Sequence, residues 1–224
     1  TWFVFPAVLL VAYAYYQDQK EMLQLREHKK STELALLRNQ LNPHFLFNTL
    51  NSLYILALKK SDQTPAVIAK LSAILDYLLY HCNDKFVSLV DEIKLLNNYI
   101  ELEQLRYGKR LDISFDYKIG KGVMIAPLIL LTFLENAFKH GVKEEINVAN
   151  VEINLEAKQE EILFELRNSK PQNGPITETK IGESIGLQNI RQQLDLLYPR
   201  AYSLHIEEGK LDYFVQLKLM PHAL

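Results

Sequence analysis

The chain has 224 residues, 48% hydrophobic and 23% charged, with 25 basic against 27 acidic side chains. That size and balance fit one or two ordinary globular domains, and without a basic excess there is no footprint for direct nucleic-acid binding. A single cysteine, Cys82, excludes an internal disulfide framework and fits a reducing compartment, and no cysteine–histidine cluster has zinc spacing.

The first residue is Thr1, and the chain reads as a piece of a longer protein. Residues 1–16 carry no charge. They are predicted to be the end of a transmembrane helix, since a soluble helix rarely lacks a polar face over four turns. Trp2 and the group Tyr13, Tyr15 and Tyr16 suit the two membrane interfaces. Lys20, Arg26, Lys29 and Lys30 follow and place that side in the cytoplasm by the positive-inside rule. The expected location is the cell (inner) membrane, with everything after the helix cytoplasmic.

From Gln17 to about Leu58 there is no glycine and one proline, Pro43. This predicts one long helix, with a kink expected at the proline. Residues 59–64 are a polar break, and Pro65 suits a first helical turn. Val67, Ile68, Leu71, Ile74, Leu75, Leu78 and Leu79 then recur at helical spacing. A hairpin of two such helices has too little to bury alone, so a homodimer with a four-helix core is expected. Ser88 and Asp91 form a capping pattern for a third helix with Leu89, Ile93, Leu96 and Ile100 on its apolar face, ending near Gly108.

Beyond Gly108 the periodicity changes. Leu111, Ile113 and Phe115 alternate with polar residues, as do Val151, Ile153 and Leu155, then Ile162, Phe164 and Leu166. A helix is predicted over 126–140, opened by Pro127, and another over 186–198. Residues 168–185, rich in polar residues, glycine and proline, predict a loop. Leu204 and Ile206, then 213–219, close the chain as two strands. The fold class is α+β: a helical hairpin, then a sandwich of helices on one face of a mixed sheet. The domain reading is 1–16 membrane helix end, 17–33 signalling linker, 34–108 dimerisation and histidine-bearing helices, and 109–224 a catalytic domain.

Three constellations carry chemistry. In Asn42-Pro43-His44-Phe45-Leu46-Phe47-Asn48, helical geometry puts His44, Asn48 and Asn51 within roughly 40° of one line. Leu46, Leu50, Leu53 and Ala57 fall opposite. His44 is thus expected to face away from the hairpin core, where a neutral imidazole is a usable nucleophile; a surface histidine with no role is the plain alternative. In Glu135-Asn136-Ala137-Phe138-Lys139-His140-Gly141, Glu135 and Asn136 offer oxygens and Lys139 and His140 offer positive charge within one and a half turns. Oxygen ligands suit Mg²⁺ arriving with phosphates, and a charged helix end that complements the dipole is the alternative. In Gly182-Glu183-Ser184-Ile185-Gly186-Leu187, small residues before a helix allow backbone N–H groups to approach phosphate, a weak signal alone.

In this order the three resemble the LytS/YehU-type sensor histidine kinases, from about Leu36 to the C-terminus. NPHFLFN followed by Thr49-Leu50-Asn51 carries most of the likeness. LENAFKHG looks like the N box of the Bergerat-fold (GHKL) ATPases, and Gly186-Leu187 with Asn189-Ile190-Arg191 and Leu194 like a glycine box. Asn98 to Glu103 with Arg106 is similar to the family's linker helix. The resemblance implies ATP and Mg²⁺ as cofactors, His44 as phosphoacceptor, Asn136 as Mg²⁺ ligand, and Lys139 and His140 beside phosphate. Gly182, Ser184, Gly186 and Leu187 would hold the phosphate tail. It also implies a response regulator as partner, of LytTR DNA-binding type. Glu135, beside Asn136, is the candidate proton acceptor.

Two departures stand out. Where the family has an Asp in a D-x-G stretch for the adenine amino group, this chain reads Asn168-Ser169-Lys170. Asn168 still accepts through its amide oxygen, without a formal charge. Ser184 stands where a second glycine is usual. They keep a second reading alive: a degenerate pseudokinase scaffold that signals by shape. A plain ATPase of this fold is a third, against which the exposed histidine argues.

Overall fold

The computed structural model describes residues 15–17, 19–20, 43–81, 84–142, 148–170 and 185–220. The chain divides into two units, Thr1–Phe47 and Asn48–Leu224. In the first, residues 15–17 and 19–20 are helical and 43–47 begin a helix. The predicted membrane segment and signalling linker otherwise lie outside the described residues. Among the described residues no helix is long and apolar enough to cross a membrane.

Helix α1 (Pro43–Leu58) starts at the proline, whose missing N–H costs nothing in a first turn. Phe45 and Thr49 are buried, while Phe47, Leu50, Tyr54, Ile55 and Leu58 are exposed. The predicted inward row is corrected here: Leu46 and Leu53 are half-buried, but Leu50 and Ala57 are exposed. The helix is apolar nearly all round, so periodicity alone does not select a face. Helix α2 (Thr64–Tyr80) follows a short turn, with Pro65 in its first turn as expected. It buries Val67, Leu71, Ile74, Tyr77 and Leu78 and leaves Ile68 and Leu79 exposed.

A two-residue strand β1 (Val87–Ser88) leads into α3 (Leu89–Tyr107), capped by Ser88, whose side chain accepts from the Val90 N–H at 3.3 Å. Gly108, at φ 57, ends the helix in a conformation that glycine adopts at no steric cost. Strand β2 (Leu111–Ile119) follows, then β3 (Met124–Ile125), which pairs antiparallel with β1.

The helix expected over 126–140 is shorter. Helix α4 spans Ile129–Ala137 and continues as a π-helical turn, Phe138–Val142. Pro127 does not open it, because Leu128 takes a left-handed conformation (φ 65, ψ 0) that breaks the helical path between them.

The remaining elements are β4 (Ala149–Ala157), β5 (Ile162–Ser169), α5 (Ile185–Leu197), β6 (Tyr202–Glu208) and β7 (Asp212–Leu219). The five-stranded sheet has order β2-β4-β5-β7-β6. Only the β2–β4 pair is parallel, so the sheet is mixed. Its inward rows are those the alternation predicts: Val151, Ile153 and Leu155 on β4, Ile162, Phe164 and Leu166 on β5, Val215, Leu217 and Leu219 on β7. Helix α4 packs on β5, on α3 and on α5. Phe133 of α4 meets Phe164 of β5 at 6.0 Å between ring centres. This is the α+β sandwich expected from the sequence.

Candidate functional site

The inward row of β5 does not end on an apolar residue. After Ile162, Phe164 and Leu166 comes Asn168, 3% exposed. Its side-chain N–H donates to the Ser169 carbonyl at 3.0 Å, which fixes the amide's orientation, and its Oδ1 is buried with no partner. An unsatisfied buried acceptor costs about 1–3 kcal/mol, so a bound donor is its natural partner. Asn168 is aligned with Val151 on one side and Tyr213 on the other, which places it at the end of the three central strands.

The π-helical turn after α4 runs directly over this amide. A Cβ added to Gly141 would lie 2.3 Å from Asn168 Nδ2 and 3.0 Å from the Ser169 carbonyl oxygen. Only a glycine permits that approach, so the motif LENAFKHG ends in glycine because its backbone must lie against Asn168. Sequence reading put Gly141 at the end of the motif but gave it no role.

One turn earlier stand Glu135 and Asn136. Asn136 has a buried side-chain nitrogen without a partner, a second polar group with spare bonding capacity at the same end of the sheet. Glu135 is half-buried, and burial pushes its carboxyl up to about 7. The neighbouring Glu103 contributes to that rise, and Lys139 opposes it. Lys139 is exposed on the turn, where His140 contributes its backbone.

Helix α3 supplies the wall behind Glu135. Glu103 is 2% exposed and accepts from Arg106 at 3.3 and 3.5 Å. Burial raises its carboxyl to about 7 against that guanidinium. Tyr99 meets Phe138 edge-on at 5.8 Å, Tyr107 stacks on Phe138 at 6.3 Å, and Arg106 lies 4.7 Å over Tyr107. Glu103 is a site neighbour that sequence reading missed. The signal was there: it falls three residues after Ile100 and seven after Leu96, on the helix's core face.

The glycine box is seen in part. Gly186 and Leu187 lie in the first turn of α5, and Leu187 is half-buried. Gly182 and Ser184 lie outside the described residues, as does most of the expected loop 168–185, which is corrected at its ends: Asn168 and Ser169 belong to β5 and Ile185 to α5. His44 is exposed in the first turn of α1, as its motif predicts.

An orphaned amide acceptor on Asn168, an orphaned amide donor on Asn136 and a glycine cradle that a methyl group would fill fit a nucleotide, whose amino group can donate to the first and whose phosphate oxygens can accept from the second. Among the described residues no group of three His, Cys, Asp or Glu could hold a metal ion by itself.

Residues 32–111 match the family model described as Histidine kinase. The chain is similar to the sensor histidine kinase YpdA of Escherichia coli strain K12, 29% identical over 82% of this chain and 33% of that protein. It is 30% identical to the sensor histidine kinase YesM of Bacillus subtilis strain 168, over 79% of this chain and 31% of that one. A solved histidine kinase domain from Erythrobacter litoralis aligns with TM-score 0.46 and 13% identity, over 85% of this chain and 93% of that chain. The chain spans about a third of the length of the curated relatives it matches. The family match and these relatives make the chain similar to the cores of sensor histidine kinases. Among the relatives of that kind is the sensor protein LytS of Staphylococcus haemolyticus strain JCSC1435, 25% identical over 87% of this chain and 35% of that protein.

Proposed function

We propose that the chain is the catalytic core of a membrane-bound sensor histidine kinase that binds Mg·ATP and phosphorylates its own His44. A ring nitrogen of His44 forms a bond to the γ-phosphorus while the bond to the β–γ bridging oxygen breaks and ADP leaves. The proton lost from the imidazole passes to Glu135. The phosphoryl group then moves to an aspartate of a response regulator, of LytTR DNA-binding type.

The observation that carries this reading is the Asn168–Gly141 contact. Asn168 Oδ1 is the acceptor for the adenine amino group, and Gly141 keeps the N-box backbone close enough for one base to touch both. Asn136 would hold Mg²⁺ through its amide oxygen, and the ion would neutralise charge on the phosphates. Phosphoryl transfer asks the protein for positioning more than for covalent help. Lys139, His140 and the N–H groups around Gly182, Ser184, Gly186 and Leu187 supply that positioning.

The kinase acts as a homodimer. The apolar residues exposed along α1 and α2 support this, since a contiguous strip of large apolar side chains marks an interaction face.

Asn168 in place of an acid favours one second reading, a pseudokinase that binds nucleotide poorly. A neutral hydrogen bond is worth about 0.5–1.5 kcal/mol and a charged one about 1.5–3. Competitive Mg·ATP binding decides between them. Wild type should bind ATP in preference to GTP. Asn168→Asp should tighten ATP by up to about tenfold. Gly141→Ala should weaken it, because the added methyl displaces the amide. Weaker ATP binding in Asn168→Asp, or unchanged binding in Gly141→Ala, would remove Asn168 from the adenine position. No measurable ATP binding by wild type would favour the pseudokinase.

A further inference from the structure

Glu92, in the first turn of α3, is fully buried. Its Oε1 accepts two hydrogen bonds: from the Tyr77 hydroxyl of α2 at 2.5 Å and from the Leu128 N–H at 2.9 Å. Its Oε2 is buried with no partner. One oxygen therefore joins three segments: the second helix of the hairpin, the linker helix, and the turn that opens α4.

Leu128 is the residue in the left-handed conformation, uncommon for a branched side chain. Both its backbone groups are engaged. Its N–H is held by Glu92, and its carbonyl accepts from the Thr132 N–H at 3.0 Å and the Thr132 hydroxyl at 2.8 Å, the first bonds of α4. Two residues earlier, the Ala126 N–H donates to the Tyr198 hydroxyl at 2.7 Å, just past α5. The start of α4 is thus pinned from α3 by a carboxylate and from the end of the glycine-box helix by a phenol. A buried carboxyl with one oxygen unsatisfied is a poor device for stability, since an apolar side chain of similar size avoids the desolvation. What it supplies is a fixed connection between α2 and α4.

We propose that Glu92 is a positioning residue through which α2 sets the placement of the helix carrying Glu135 and Asn136. A shift of α2 is delivered through Tyr77 and Glu92 to Leu128, and so to the nucleotide end of α4. The proposal rests on the nucleotide site argued above and adds to it a mechanical input from the hairpin.

The test uses the whole chain and separates affinity from turnover: Kd for Mg·ATP, and KM and kcat for labelling of His44. Tyr77→Phe removes only the link to α2, so it should leave Kd within about twofold and lower kcat by about fivefold or more, as misplacement does. Glu92→Ala removes both links and should raise Kd and lower kcat, each by about tenfold. Glu92→Gln keeps an oxygen for both donors and should restore values near wild type. A Tyr77→Phe protein with wild-type kcat overturns the proposal. So does a Glu92→Gln protein that behaves like Glu92→Ala. If Glu92→Ala does not fold, Tyr77→Phe and Glu92→Gln decide between them. If wild type binds ATP but leaves His44 unlabelled, the kinase reading has failed instead; the proposal is then judged on Kd, which Glu92→Ala must raise and Glu92→Gln restore.

Discussion

The two helices α1 and α2 and the sandwich that follows are unfinished in opposite ways. The helices leave apolar side chains outside: Phe47, Leu50, Tyr54, Ile55 and Leu58 on α1, Ile68, Leu79 and Tyr80 on α2. The sandwich buries the apolar rows of its three central strands, β4, β5 and β7, and leaves polar atoms unsatisfied inside, at Asn136 and Asn168. Unspent apolar surface calls for more protein, whereas an orphaned buried amide calls for a small polar ligand. The proposed homodimer interface on one region and the proposed nucleotide on the other would answer the two deficits.

Perturbing the sandwich should give the largest effect. Asn136→Ala should cut labelling of His44 by about a hundredfold or more, because an ion bridging phosphates supplies several kcal/mol of charge stabilisation. Asn136→Asp keeps an oxygen and should lose less. Equal rates in Asn136→Ala and wild type would take the Mg²⁺ role away from this residue. Perturbing the helices should act on assembly instead. Ile55→Glu puts a charge on the exposed strip, and sedimentation should show the wild-type dimer giving way to monomer while ATP binding of the sandwich is kept. A wild-type protein that sediments as a monomer at micromolar concentration would break the comparison on that side.

A smaller effect should appear in stability against pH. Glu92, Glu103 and Glu135 are each raised from 4.5 to about 7, mainly by burial. The folded state therefore holds protons that the unfolded chain gives up earlier. The associated stability is fully present below about pH 4.5 and is lost as pH rises towards 7. The thermal midpoint should fall across that window, and Glu92→Gln should flatten the fall. A midpoint that rises from pH 4.5 to 7 would show that these carboxyls are not buried as described.

Much of this was legible in the residues, for reasons that differ by region. The strands announce themselves because one face of the sheet is buried and the other wet, so Val151, Ile153 and Leu155 alternate with Glu152, Asn154 and Glu156. The same alternation runs on to Asn168, which the polar composition of 168–185 assigns to a loop and the structure places in the inward row of β5. Helix α1 misled because it is apolar nearly all round, and the face it buries is set by neighbours that no periodicity encodes. The left-handed Leu128 was not legible at all. Its conformation is imposed by Glu92, which lies 36 residues earlier, and by the turn that Tyr198 holds from 72 residues beyond Ala126. Glu92 and Glu103 could have been found as carboxylates at core positions of α3, three residues after Leu89 and Ile100.

The central claim is that the exposed histidine and the nucleotide site serve one reaction. Its most direct measurement is incubation of wild type and His44→Gln with Mg·ATP labelled at the γ-phosphate, followed by mapping of the phosphorylated residue. The account predicts an acid-labile, base-stable label on His44 that is absent from His44→Gln, while both proteins bind ATP equally. Label that persists in His44→Gln, or that maps to His140, would contradict it.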